Sequence, residues 1–341
     1  MTLSRRSVLK GLLAAPALWS ASRFVHAADA KVIKISHQFP GGSVDSGDFR
    51  DRLVRKFAVE VEKRTGGSLK FEIYPGSSLM KTVAQFSALR KGALDMSLYP
   101  LAYAGGEVAE LNIGLMPCMV TSYEQGFAWK KAEIGRELLK LLDARGVKMV
   151  TWIWQAGGTA SRSSPVVEPD DVKGLKIRGG SREMDLMLKE AGGIISSVPS
   201  NEIYPAMQTG SLDAAVTSST SLISFRLEEI SKALTSGRVK SFWYMLEPLL
   251  MSKSLYDSLT PAQQKVVTEV GEELESFATS SARVDDEAVV AVYKRAGARV
   301  LDMDQATVNR WRKIAETAAW TDFARRNAEC ERYLKMAKAV A

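Results

Sequence analysis

One arginine stands where chemistry can be done. In "DVKGLKIRGG" a short apolar strand, Leu175 to Ile177, ends in Arg178, and Gly179-Gly180 leave room around it before a helix begins near Ser181. A guanidinium is planar, permanently charged and able to donate two parallel hydrogen bonds to a carboxylate. What an arginine placed so would hold depends on the compartment and on what the rest of the chain builds. Other reactive residue types are scarce. His26 and His37 are the only histidines, and no partner motif accompanies His37. That speaks against a Ser-His-Asp arrangement or a histidine metal site, and leaves His37, at the end of the first strand, as a candidate ligand contact. Cys118 and Cys330 lie far apart. One disulfide between them is open, but the spacing gives no metal signature, and Cys118 in "LMPCMV" reads as core. The expectation from these residues is no enzyme, no cofactor and no metal.

The first residues bear on the compartment. "SRRSVLKGLLAAPALWSASRFVHA" carries Arg5-Arg6, an apolar run from about Gly11 to Trp19 and a small-residue cleavage pattern at Val25-His26-Ala27. This reads as a signal peptide over residues 1–27, of the twin-arginine type, with export to a periplasm. The run is too short to span a bilayer. Removing Arg5, Arg6, Lys10 and Arg23 lowers the formal charge from +7 to +3. So modest an excess gives no reason to expect a nucleic-acid partner.

The elements that must position Arg178 follow from periodicity. "KVIKISH" is a strand; Phe49, Leu53, Phe57 and Val61 recur every four residues on one helical face; "SLKFEIYP" alternates as a strand. A helix over about 80–91, the strand "LDMSLYP", a helix over most of 124–145 and the strand "VKMVTWIW" continue the alternation. "GGTASRSSPVVEPDD" reads as a crossing segment. "LKIR", a helix from Ser181, a helix in "NEIYPAMQTG" and "LDAAV" repeat the pattern, with "RVKSFWY" and "PLLMSKS" as further strands. Thr260-Pro261-Ala262-Gln263 is a capping box with proline at the first helical position. The helix it starts extends to about Ala296, roughly 50 Å at 1.5 Å per residue, long enough to brace two units. A final strand and two terminal helices close the chain. The fold class is α/β, with mixed sheets and helices on both faces and enough chain for two domains. Domain I is expected over 31–155 and 244–283, domain II over 156–243 and 284–341.

The order of these motifs resembles the solute-binding subunits of tripartite ATP-independent periplasmic (TRAP) transporters, the C4-dicarboxylate-binding, DctP-type family. The likeness covers nearly all of the chain after the signal. "KVIKISHQFP", "GGSLKFEIYPGSSL" and "ALRKGALDMSLYPLAY" carry it, and above all "EPDDVKGLKIRGGSREMDLMLKEAGGIISSVPSNEIYPAMQTGSLDAA". The resemblance implies a two-domain periplasmic-binding-protein-like fold, a hinged ligand cleft between the domains that closes on a small organic anion, Arg178 on the ligand carboxylate, and delivery to the membrane subunits of a TRAP permease. A strand end in an α/β unit also faces the crevice where ligands bind.

Two positions depart from the family pattern. The place of a second anion-binding arginine is held by Gly158, with Arg162 four residues later reading as a solvated charge. Asp213 leads into "AAVTSSTS", so Thr217, Ser218 and Ser219 are only candidate hydroxyl contacts. Aromatic residues stand near other strand ends: Tyr99 and Tyr103, Trp152 and Trp154, and Phe242, Trp243 and Tyr244. Some of these are expected to line the pocket. Aromatic walls suit a flat or apolar ligand body, so the expected ligand is an aromatic or hydroxy monocarboxylate bound by a monomer. A periplasmic sensor that docks to a membrane receptor is the competing reading, and a periplasmic enzyme a weaker one.

Overall fold

The computed structural model describes residues 30–340; the expected signal peptide lies outside them. Twelve strands among these residues form two mixed sheets. The first has the order β2 (Leu69–Tyr74), β1 (Lys31–His37), β3 (Met96–Leu98), β11 (Leu249–Ser252) and β4 (Val147–Thr151). The second runs β12 (Arg299–Asp302), β9 (Ala233–Ser236), β5 (Trp154–Ser161), β8 (Ala214–Ser218), β6 (Lys176–Arg178) and β7 (Ile194–Ile195), with β10 (Tyr244–Leu246) added to β5. The chain passes between the sheets at Trp152-Ile153 and returns at Glu247-Pro248. The Glu247 N–H donates to the Ile153 carbonyl at 2.8 Å, so the two crossings are tied together.

Local chemistry explains the elements that hold the site. The helix Phe49–Arg64 starts at Asp48, whose carboxylate accepts the Arg50 N–H, and buries Phe49, Leu53, Phe57 and Val61 as their spacing requires. Ser181 caps the helix Arg182–Glu190 by accepting the Met184 N–H. Thr260 and Gln263 form the reciprocal capping box of the helix Pro261–Arg295. Its 35 residues run about 52 Å. It packs on Phe49–Arg64 and β4 of the first unit and on β5 and the helix Ser219–Ser224 of the second.

Several boundaries differ from the sequence reading. "VKMVTWIW" is not one strand: β4 stops at Thr151, and Trp154 opens β5 in the other sheet. "GGTAS" is not a crossing segment but the body of β5, the strand at the centre of the second sheet; glycine-rich composition hid it. "RVKSF" makes no strand, since β10 starts only at Tyr244, while "ALTS" supplies the unforeseen β9. The helix over 80–91 is a short 3₁₀ turn followed by Gln85–Arg90, and the helix over 124–145 breaks at Ala132 into Tyr123–Lys131 and Glu133–Ala144. The terminal helices number more than two: Gln305–Ala315 passes through a π-bulge at Glu316–Trp320 into Thr321–Arg326, and Ala328–Lys338 follows. That last helix packs on Glu133–Ala144, so the C-terminal segment returns to the first unit. Cys118 and Cys330 are both free and buried.

Candidate functional site

The strand ends of the two sheets meet at the seam. From the first sheet come Gln38 after β1, Tyr99 after β3 and Glu247 before β11. From the second come Arg178 at the end of β6, Ser218 at the end of β8 and Gln155 at the start of β5. Two side chains close the seam directly: Tyr103 reaches Arg178, and Arg50 reaches Ser218 and Ser221.

Arg178 is 1% exposed. Its Nε donates to the Val198 carbonyl at 3.0 Å, Nη1 to the Val216 carbonyl at 2.8 Å and Nη2 to the Tyr103 hydroxyl at 2.6 Å. Three of five N–H groups are thereby used, all on neutral oxygens. Among the described residues no carboxylate forms a salt bridge with it; the nearest influence is Asp185, which accepts the Gly179 N–H at 3.0 Å and feels the Arg178 charge. A Cβ at Gly180 would fall 2.7 Å from Nη1, so only glycine lets the guanidinium lie where it does. Tyr103 and Gly180 also line a cavity of about 470 Å³ between the units, with Arg182, Lys189 and Arg326 around it. The Tyr103 hydroxyl accepts a second bond from the Ser200 N–H at 3.1 Å.

A second fully buried arginine, which the sequence reading missed, is Arg50. It is held by Asp48 through Nε at 2.9 Å and Nη2 at 2.7 Å, and its Nη1 reaches Glu247 at 3.3 Å. Its guanidinium lies 3.6 Å from the Phe39 ring centroid. Burial pushes the Asp48 carboxyl up, but Arg50 outweighs this and holds it below the ordinary range. Burial pushes Glu247 up to about 7, against the opposing pull of Arg50. Gln155 Nε2 also donates to Glu247 Oε2. Glu247 Oε1, Gln155 Oε1, Tyr99 Oη and both amide atoms of Gln38 are buried with no protein partner. One signal for Arg50 was present: it falls on the stripe of Leu53 and Phe57, where an inward charge demands a reason.

The remaining candidates divide. Tyr99 and Tyr103 meet edge to face at 6.0 Å beside Arg178. The Trp243 indole donates to the Gly179 carbonyl at 3.0 Å, one residue from Arg178. Ser218 caps its helix and accepts from Arg50; Ser219 is buried behind it, beside Asp286. Trp154 packs edge-on against Trp129 at 5.3 Å, within the first unit's core. Trp152 is buried, with its N–H on Glu275. Tyr244 packs against Tyr123. His37 is paired through Nε2 with Asp51 of the helix Phe49–Arg64 at 3.1 Å, and its Nδ1 accepts the Phe39 N–H of the loop after β1 at 3.3 Å, so both ring nitrogens are committed within the first unit. Gly158 has no room for a side chain: a Cβ would fall 2.3 Å from the Thr235 carbonyl. Arg162 is partly exposed and lies 3.8 Å from Asp213.

Two α/β units, crossing strands, a bracing helix and polar strand ends at the seam define a periplasmic-binding-protein-like fold. Residues 42–326 match the model of the DctP family, bacterial extracellular solute-binding protein, family 7. A solute-binding protein of Albidiferax ferrireducens is 57% identical over 338 residues, covering 98% of this chain and 99% of its own. The C4-dicarboxylate-binding periplasmic protein DctP of Rhodobacter capsulatus is 27% identical, with 86% of each chain covered. The crystal structure of a TRAP periplasmic solute-binding protein from Rhodoferax ferrireducens, with bound malonate, superposes with a TM-score of 0.89 at 60% identity, over 90% of this chain and 98% of that one. The chain belongs to the DctP family of TRAP solute-binding proteins, which are extracytoplasmic binding proteins of transporters and not enzymes.

Proposed function

We propose that this chain captures a small organic acid through an ion pair between Arg178 and the ligand carboxylate, and hands the acid to the membrane subunits of a TRAP permease. The observation that carries the reading is Arg178 itself, a guanidinium 1% exposed whose three hydrogen bonds all go to neutral oxygens, with Asp185 near it but beyond salt-bridge distance. A buried charge left unpaired costs several kcal/mol, so the site is built for an anion that arrives from outside. The malonate held by the Rhodoferax ferrireducens relative supports a carboxylate grip.

The proposed ligand is an aromatic or hydroxy monocarboxylate. Arg50, the other buried arginine at the seam, is already neutralised by Asp48 and Glu247, so a second ligand carboxylate would lack a free cation there. Tyr99, Tyr103 and Trp243 give flat surface near Arg178, whereas Trp152, Trp154 and Tyr244 pack elsewhere. Two domains divided at the crossings near 155 and 244, a monomer, and export through Arg5-Arg6 complete the proposal. Mass spectrometry of small molecules released from purified protein by denaturation, followed by calorimetry with mandelate, lactate, malonate and succinate, tests it. Binding of mandelate or lactate ahead of both diacids is expected. Succinate as the tightest ligand, with no heat from either monoacid, would overturn the monocarboxylate assignment.

A further inference from the structure

Tyr103 and Gly180, which touch Arg178 on one side, wall the cavity of about 470 Å³ on the other. No residue of β5, β8 or the crossings lines it, and Arg178 does not either, so it is separate from the seam of strand ends. Its walls come from both units: Val83 and Ala102 from the first, Leu186, Ile195 and Val198 from the second. They are mostly apolar, and Val83 is left 60% exposed. The charged groups around them are unequally committed. Asp185 accepts the Gly179 N–H and the Ser197 hydroxyl, and Arg182 is paired with Asp322. Arg326 makes only long contacts, 3.5 Å to Glu183 and 3.3 Å to the Gly105 carbonyl. Lys189 is exposed and enters no ion pair among the described residues.

An apolar trough with spare cations at its edge calls for a ligand with an apolar body and one anionic end. We propose that this cavity is a second ligand site, which takes a medium-chain carboxylate with its alkyl chain along Val83, Ala102, Leu186, Ile195 and Val198 and its carboxylate toward Lys189 and Arg326. The volume falls within the range of about 300–1,000 Å³ common to small-molecule sites. Asp185 is the one acid on the wall, and its oxygens are turned to Gly179 and Ser197. The two halves of the wall are joined through the Tyr103 hydroxyl, which holds Arg178 and the Ser200 N–H. The site is therefore complete only when the units are closed on each other, and its occupant favours that arrangement. By linkage, filling the cavity raises affinity in the cleft at Arg178, and filling the cleft raises affinity in the cavity by the same factor. The coupling rests on the Arg178 grip; the second site does not.

Octanoate is the probe, with butanoate, hexanoate and octanol as controls, measured by calorimetry or ligand-observed NMR to millimolar concentration. The series is run in Arg178→Met and in wild type with the cleft filled by malonate, so that the cleft itself does not report. Affinity should rise about threefold for each methylene from butanoate to octanoate, the equivalent of burying one CH₂. Octanol should bind at least about tenfold more weakly than octanoate, since it lacks the charge. Lys189→Glu should lower octanoate affinity by about tenfold. Gly106→Leu adds bulk at a wall position where a Cβ meets nothing within 4 Å, and should block the cavity while leaving the fold intact. Saturating malonate should tighten octanoate binding by at least about threefold in wild type and not in Arg178→Met. Affinity flat with chain length, octanoate binding lost in Arg178→Met, or binding untouched by both Lys189→Glu and Gly106→Leu overturns the second site. So does the lack of saturable octanoate binding, and cross-linking of Lys189 to a permease subunit would then give the cavity to that partner. Octanoate bound as expected but indifferent to bound malonate overturns the coupling. Malonate that fails to bind while octanoate behaves as expected sinks the Arg178 grip and leaves the second site standing.

Discussion

Arg178→Met is expected to remove most ligand affinity. The wild-type guanidinium spends three N–H groups on the Val198 and Val216 carbonyls and the Tyr103 hydroxyl. Two N–H groups and the full charge remain for the ligand. Two hydrogen bonds to a charged group contribute about 1.5–3 kcal/mol each. Truncating one partner of a buried ion pair also leaves the other charge bare, and the measured total is usually about 3–5 kcal/mol. At 1.4 kcal/mol per decade, affinity should drop by about 10² to 10³·⁵. Arg178→Lys should recover only part of it, because an ammonium lacks the fork that uses Val198, Val216 and Tyr103 at once. Calorimetry with malonate, the ligand of the Rhodoferax ferrireducens relative, is the direct assay. The rise in melting temperature at saturating malonate is the second, since a ligand stabilises only by RT ln(1 + [L]/Kd). The melting temperature without ligand reports whether the substitution has damaged the fold. A folded Arg178→Met protein that binds malonate within about fivefold of wild type would refute the reasoning, and Arg178 would then be a brace between β6, β8 and Tyr103.

Other outcomes are expected from the same seam. Tyr103→Phe deletes the hydroxyl that accepts from Arg178 and the Ser200 N–H across the two units, so malonate affinity should fall by about fivefold to tenfold. Small-angle scattering should show less contraction with ligand in that variant than in wild type; equal contraction would deny Tyr103 a part in closure. Arg50→Met leaves Asp48 and Glu247 buried without their cation and should lower unfolding stability by about 3–5 kcal/mol in urea titrations; a loss under about 1 kcal/mol would mean the cluster relaxes into water. Stability should also fall as pH rises from about 4.5 to 7. Burial raises Glu183 and Glu247 to about 7 and Asp286 to about 6, so in that window the folded protein keeps protons that the unfolded chain has released. In more acid solution the slope should reverse, because Asp48 and Asp51 are held low and lose their stabilising charge on protonation. Melting temperatures from pH 3 to 8 check this, and Glu183→Gln with Glu247→Gln should flatten the upper limb.

The sequence by itself determined the elements whose signals are local. The four-residue spacing of Phe49, Leu53, Phe57 and Val61, the alternation in "LKFEIY" and the capping box at Thr260 each fix their element through contacts within a few residues. Arg178 was legible for the same reason: strand, arginine, two glycines and a capped helix follow one another along the chain. Tertiary structure decided what depended on distant partners. β5 carries Gly157-Gly158, a composition that reads as a loop, and becomes the central strand only because β8, β9 and β10 supply its hydrogen bonds. Trp152 and Trp154 sit two residues apart but in a crossing and a new sheet, so a shared face in sequence is not shared in space. His37 is committed to Asp51, fourteen residues away. Arg50 and Glu247 lie 197 positions apart along the chain and Gln155 and Glu247 92, farther than any spacing rule can see, yet they converge because two sheets end at the same seam. Whether a buried arginine has a carboxylate in salt-bridge contact, as Arg50 has in Asp48 and Glu247, or none, as at Arg178, depends on which carboxylates the fold brings within reach, and no local pattern records that.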